Sequence, residues 1–125
     1  MNKKKRIVID LDGTISQTKS KCEHYSQVKP NYDIINKLKQ YKDEGFYIII
    51  STSRNMNSFN DNLGKINKNT APIIYAWLEK YQVSYDEIYF GKPWCGFDGF
   101  YVDDKAIRPD EFLKLTTEEI KKITK

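Results

Sequence analysis

A short apolar run that ends in two carboxylates governs what this chain can fold into: Arg6-Ile7-Val8-Ile9-Asp10-Leu11-Asp12-Gly13-Thr14. Ile7, Val8 and Ile9 are β-branched and show no polar alternation, so the run predicts a strand buried on both faces, as in a parallel sheet. Gly13 supplies the backbone freedom for a tight turn beyond it. Open parallel sheets bind ligands beyond the carboxyl ends of their strands, which is where Asp10 and Asp12 would stand. Side chains two apart point the same way while the chain stays extended. Two converging carboxylates repel unless a cation lies between them, and a pair of oxygen ligands suits a hard ion such as Mg²⁺. The bland alternative is an Asp-x-Asp-Gly turn that only ends a strand, and the rest of the chain decides between the two.

The chain has 125 residues, the length of one domain, and residues 1–125 are read as one. Hydrophobic residues make up 39% and charged residues 30%, as in folded proteins rather than disordered ones. The net charge of +4 gathers at the ends, in Lys3, Lys4, Lys5 and Arg6 and in Lys121, Lys122 and Lys125. That placement fits solvated tails better than a nucleic-acid face. No run approaches the ~20 apolar residues needed to span a membrane, and Asp10 cuts short any signal-peptide core. Cys22 and Cys95 lack metal-ligand spacing, so a reduced, cytoplasmic setting is expected. His24 is the only histidine, which excludes a His-dependent triad or a multi-His zinc site. It is read as an exposed loop residue.

Residues 15–29 are polar and aperiodic, a loop beside the expected site. Asn31 is a candidate N-cap for a helix whose inward stripe is Ile34, Ile35, Leu38 and Tyr41, stopped by Gly45. Residues 46–50 form the next apolar strand, ending in Ser51-Thr52-Ser53-Arg54. A right-handed β-α-β connection sets its polar end on the same edge as Asp10. Residues 55–69 are Asn-rich and predict a long irregular loop. Thr70 is a candidate N-cap for a helix carrying Ile73, Ile74, Trp77, Leu78 and Tyr81. A third strand, residues 87–90, ends in Gly91-Lys92-Pro93. A fourth, Phe100-Tyr101-Val102, ends in Asp103-Asp104, and Pro109 is read as closing the sheet region. Thr116 and Glu119 match a capping box for a terminal helix.

Strand ends at Asp10/Asp12, Thr52, Lys92 and Asp103/Asp104 together offer a nucleophile, an acid/base, a hydroxyl donor, a cation and further metal ligands. Phosphoryl transfer without a histidine requires this set. In this order the four motifs resemble those of the haloacid dehalogenase superfamily of phosphohydrolases: Asp10-Leu11-Asp12-Gly13-Thr14, Thr52, Lys92, and Asp103-Asp104. The stretches Thr52-Ser53-Arg54-Asn55-Met56, Gly64-Lys65-Ile66-Asn67, Phe90-Gly91-Lys92-Pro93-Trp94-Cys95-Gly96 and residues 98–109 are similar to the small capsular polysaccharide biosynthesis phosphatases within it.

That resemblance implies an α/β fold, a Rossmann-like three-layer α/β/α sandwich with a mainly parallel sheet. Neither gap between motifs has room for a cap domain, so the site would be open to larger substrates or covered by a neighbouring subunit. It implies that Asp10 forms an aspartyl phosphate and that Asp12 serves as acid and then base. Mg²⁺ would be held by Asp10, Asp12, the Leu11 carbonyl, Asp103 and Asp104. Thr52, Ser53, Arg54 and Lys92 would bind the substrate, with Arg54 either on its anion or paired with an acidic neighbour. The substrate would be a small phosphate ester, a phosphorylated sugar or capsule precursor. Two further readings stand beside it. A nucleic-acid-end or nucleotide phosphatase would need a basic groove with stacking aromatics. A receiver-like phosphoacceptor module would carry its acceptor after the third strand, where this chain has Gly91-Lys92. Neither membrane nor nucleic acid is expected as a partner, and a homo-oligomer fits the open site.

Overall fold

A computed structural model describes residues 5–125, which group into two compact units, residues up to Trp94 and Cys95–Lys125. The basic start at Lys3 and Lys4 lies outside the described residues. The fold is α/β and Rossmann-like, without a cap domain.

In the first unit, β1 (Arg6–Ile9), β2 (Tyr47–Thr52) and β3 (Glu87–Phe90) form a parallel sheet in the order β1-β2-β3. The register sets Ile9 opposite Ile50 and Ile50 opposite Ile88. Between the strands run α1 (Tyr32–Asp43) and α3 (Ala71–Lys80). Two right-handed crossovers that step the same way across a sheet place both helices on one face. That face is the core: Ile34, Leu38, Ile48, Ile50 and Ile74 are fully buried, with Trp77 at 3% exposure. Each such side chain contributes about 1.5–3 kcal/mol relative to exposure. The opposite face carries Val8 and Tyr89, which are 67% and 57% exposed. The expectation of a first strand buried on both faces therefore holds for Ile9 and fails for Val8. A run of three apolar residues cannot reveal that both crossovers cover the same side.

Helix α1 starts after Asn31, as expected, but the Asn31 side chain does not cap it. Its Nδ2 donates to the Thr14 carbonyl at 3.2 Å and so ties the helix start to the turn after Asp12. The expected loop over residues 55–69 is half helix. Asn62 caps α2 (Leu63–Lys65), its side chain accepting from the Lys65 amide at 3.0 Å, and a π-helical turn (Ile66–Thr70) runs straight into α3. Thr70 is therefore helical rather than an N-cap, and its hydroxyl donates to Asn55 Oδ1 at 2.7 Å. Pro72 lacks the N–H that a continuous α-helix would need, and the π turn just before it absorbs the break. Trp77 Nε1 donates to the Val28 carbonyl at 2.8 Å, anchoring the loop of residues 15–29 to the core.

In the second unit, α4 (Pro109–Lys114) carries Phe112, which is buried, and α5 (Thr117–Ile123) follows it. Pro109 opens α4 instead of closing a sheet, with Glu111 Oε1 accepting from the Arg108 amide at 2.8 Å. Thr116 and Glu119 form the expected capping box at α5. The fourth strand is not formed: residues 100–102 are in no strand, and Phe100 and Val102 are 79% and 87% exposed. Strand propensity is present there, but a strand exists only when another strand bonds to it.

Candidate active site

The site is built where the three strands of the first unit end. β1 delivers Asp10 and Asp12. Gly13, at φ +81°, then turns the chain through a conformation that side chains other than glycine rarely adopt. β2 delivers Thr52 and Arg54, and β3 delivers Lys92 past Gly91, another left-handed glycine at φ +85°. The Lys92 amide donates to the Thr52 carbonyl at 3.1 Å, extending the β2–β3 pairing into the site.

The two carboxylates have different partners. Asp10 Oδ1 lies 3.6 Å from Lys92 Nζ, and Asp10 Oδ2 accepts from Thr14 Oγ1 at 3.3 Å. Burial raises the Asp10 carboxyl above its ordinary value, outweighing Lys92, the Leu11 amide and Thr14, which lower it; the Asp12 charge raises it further. Asp12 is held by Arg54 through two bonds, Nε to Oδ2 at 3.1 Å and Nη2 to Oδ1 at 2.7 Å. Of the two partners considered for Arg54, the structure shows the acidic neighbour. Arg54 is buried at 4% exposure, lies 4.1 Å from the centroid of the Tyr25 ring, and leaves Nη1 buried without a hydrogen-bond partner.

Thr52 is 1% exposed, and its Oγ1 accepts from the Arg54 amide at 3.1 Å, leaving its own proton to donate. Ser53 is half-buried and its carbonyl accepts from the Met56 amide at 3.0 Å. Beyond Arg54, Asn55 takes φ +63° and is fixed by Thr70. Asn tolerates that conformation, so the bond steadies the bend that aims Arg54 inward.

The Leu11 carbonyl, which the resemblance assigns to the metal, is engaged by its own turn. It accepts from the amides of Thr14, Ile15 and Ser16 at 3.2, 3.0 and 3.0 Å, and Leu11 is fully buried. The turn that presents the two aspartates consumes that carbonyl. Asp103 and Asp104 belong to the second unit, where both are exposed and Asp103 Oδ1 accepts from the Lys105 amide at 2.8 Å. Among the described residues no group of three His, Cys, Asp or Glu side chains is suited to hold a metal ion. The donors Asp10 and Asp12 are all oxygen, which suits a hard divalent cation.

Beside Asp12 opens a pocket of about 230 Å³ lined by Asp12, Gly13, Thr18, Lys19 and Tyr25. Tyr25 escaped the sequence reading because nothing in an aperiodic loop marks which aromatic will meet the arginine. His24 is an exposed loop residue, as expected, and caps the 3₁₀ turn that carries Tyr25.

The model of the haloacid dehalogenase-like hydrolases matches residues 7–77, more than half of the chain and the span that holds Asp10, Asp12, Thr52 and Arg54. The chain belongs to that family. The hydrolase is also similar to a crystal structure from Vibrio cholerae, at 51% identity and a TM-score of 0.91 over 96% of both chains. Similarity to one chain of the Pnkp1/Rnl/Hen1 complex is lower, at 25% identity and a TM-score of 0.51, covering 90% of this chain and 36% of that one. D,D-heptose 1.7-bisphosphate phosphatase from B. bronchiseptica, complexed with magnesium and phosphate, is 15% identical with a TM-score of 0.47, over 81% of this chain and 56% of that one. No curated protein matches the chain. Among the described residues no helix is long and apolar enough to cross a membrane.

Proposed function

We propose that this hydrolase is a Mg²⁺-dependent phosphomonoesterase that works through an aspartyl phosphate on Asp10. The observation that carries the reading is the separation of the two carboxylates: Asp10 faces Lys92 and Thr14, whereas Asp12 is clasped by Arg54. Neighbouring carboxyls with different surroundings take different roles.

Asp10 Oδ attacks phosphorus, and the bond to the leaving oxygen breaks. Asp12, aimed by Arg54, would enter this step protonated, give that oxygen its proton, and as the carboxylate then take one from the water that hydrolyses the acyl phosphate. Each proton transfer contributes ~10²–10⁴-fold. Lys92 Nζ offsets charge on Asp10 and on the phosphoryl oxygens, and the Thr52 hydroxyl donates to one of them. Arg54 Nη1, buried and unpartnered, offers a donor to an anionic substrate. Asp10, Asp12, Asp103 and Asp104 would hold the cation. With its carboxylate on Arg54, Asp12 would contribute its main-chain carbonyl. When bound, Mg²⁺ supplies charge neutralisation at the phosphoryl group.

The pocket beside Asp12 is where a leaving group would sit. At about 230 Å³ it is smaller than the ~300–1,000 Å³ of drug-sized ligand sites, and Lys19 with Tyr25 gives it a polar and an aromatic wall. A phosphorylated sugar or capsule precursor fits that lining, and a cytoplasmic setting fits the free Cys22 and Cys95. Turnover of a chromogenic phosphate ester and a sugar-phosphate panel tests the reading. The expected result is Mg²⁺-dependent release of phosphate that Asp10→Asn abolishes, with a phosphate adduct on the acid-quenched wild-type chain. Activity that survives both Asp10→Asn and chelation would overturn it.

A further inference from the structure

Arg54 and Lys92, the two cations of the candidate site, each stand next to a left-handed residue. Arg54, on Asp12, is followed by Asn55 at φ +63°, and Lys92, near Asp10, is preceded by Gly91 at φ +85°. A residue such as Asn55 keeps that conformation only where its surroundings hold it, and a glycine is the loosest point of a backbone unless a neighbour fixes it. One stretch of helix holds both. At its start Leu63 lies against Gly91: a Cβ on Gly91 would be 2.5 Å from Leu63 Cδ2. At its end the Thr70 hydroxyl donates to Asn55 Oδ1 at 2.7 Å. Between these two points the stretch is closed by its own bonds. Asn62 accepts from the Lys65 amide, Asn69 Nδ2 donates to the Lys65 carbonyl at 3.1 Å, and the Ala71 amide closes the π turn on the Ile66 carbonyl. The stretch runs without a break into α3, whose Ile74 and Trp77 lie in the core.

We infer that residues 63–70 brace both cations: Leu63 positions Lys92 through Gly91, and Thr70 positions Arg54 through Asn55. Both are positioning residues, each acting through the turn it holds. A loose turn beside a cation lets the charge drift by a fraction of an ångström to an ångström, and a displacement of that size is costly to a reaction. Because one helical bar meets both turns, Arg54 and Lys92 are placed relative to each other as well as to their strands. The π turn has a place in this device, as such turns often do at functional sites, since it carries Thr70 at its end. The inference deepens the phosphatase reading and rests on it for the kinetic arm of the test.

Thr70→Val removes the hydroxyl and keeps the shape. It is expected to lower kcat roughly 10-fold with KM within about twofold, and Thr70→Ser to stay within about twofold of wild type. In an Arg54→Lys background Thr70→Val is expected to cost nothing more, whereas Leu63→Ala, acting on Lys92, keeps its own loss of roughly 10-fold there. Leu63→Met, of similar volume, is expected to stay near wild type. Two NMR readouts are independent of catalysis. One is the Nε–H resonance of Arg54, one of three arginines, assigned by its loss in Arg54→Lys. The other is hydrogen exchange at the Lys92 amide, which donates to the Thr52 carbonyl. Thr70→Val is expected to broaden the first and spare the second; Leu63→Ala is expected to speed the second roughly 10-fold and spare the first. Should either variant lose its far-UV circular dichroism, Thr70→Ala or Leu63→Val takes its place with the same expectations. In an active enzyme, an unchanged kcat in Thr70→Val or Leu63→Ala, or an undiminished Thr70→Val loss in the Arg54→Lys background, overturns the brace. Absence of both NMR changes overturns it whatever the activity. Wild type that turns over no phosphate ester, with both NMR changes present, overturns the phosphatase reading and leaves the brace supported.

Discussion

Both oxygens of the Asp12 carboxylate are held by Arg54, one by Nε at 3.1 Å and the other by Nη2 at 2.7 Å. This clasp fixes the orientation of the proposed acid/base. Only a planar guanidinium can make it, because lysine offers a point charge on a flexible stem. Arg54→Lys is expected to lower kcat about 10²-fold, as for loss of an oriented acid/base, with a smaller change in KM. Steady-state kinetics on a phosphate ester measures the split, and an unchanged kcat would show that the clasp does not serve catalysis.

The Tyr25 ring, 4.1 Å from the guanidinium carbon, backs that clasp. A cation over an aromatic face is worth ~0.5–2 kcal/mol, so the ring should matter more than the hydroxyl. Tyr25→Phe is expected to keep activity within about twofold, and Tyr25→Ala to lose roughly 3- to 30-fold. Equal losses in both variants would assign the effect to the phenol instead.

Asp10 illustrates a site that costs stability. Its carboxyl is raised by burial above the unfolded value. A group shifted up in this way favours the folded state at low pH, and that contribution disappears as pH rises through the folded value. At neutral pH without metal, Asp10→Asn should therefore raise Tm while abolishing turnover. Adding Mg²⁺ should raise the Tm of the wild type more than that of the variant. Thermal scans with and without Mg²⁺ check both statements.

Asp86 works in the opposite sense. Burial raises its carboxyl, but the bonds from Lys42 and from the Ile48 amide, the latter at 2.8 Å, outweigh that and lower it. Its stabilising contribution is present above the unfolded value of 3.8 and fades as pH falls through the lower folded value. Asp86→Ala leaves the β2 amide without an acceptor and is expected to cost about 1–3 kcal/mol. Urea denaturation at pH 7 should show the loss, and the gap between the two proteins should narrow on acidification below pH ~4.

Much of this architecture is legible from residue types alone. Apolar runs ending in Asp10, Thr52 and Lys92 mark the three strands, and the stripes on α1 and α3 mark the core, because periodicity is a local property. Relations between distant residues are not. Arg54 could be given no partner until β1 and β2 stood side by side. The Leu11 carbonyl looked available because a sequence does not show that three amides of its own turn converge on it. Thr70 reads as a cap, yet the helix runs through it, since Asn62 already caps upstream and a π turn bridges the join. Residues 100–102 carry the composition of a strand, but pairing is a property of two segments, and among the described residues no strand is bonded to them.

The bond from Trp77 to the Val28 carbonyl has a consequence for how this hydrolase could change its substrate. The chain is tied down at Thr14, through Asn31, and at Val28, through Trp77, on either side of the pocket wall that residues 15–29 provide. A ligand that enters there meets a surface already ordered, so little conformational entropy is lost on binding. Thr18 and Lys19 stand between the fixed turn and the anchor, with side chains on the pocket. Selection can alter these two positions and move preference from one leaving group to another without retuning a closure motion. Divergence of specificity would then proceed by single substitutions on a rigid rim.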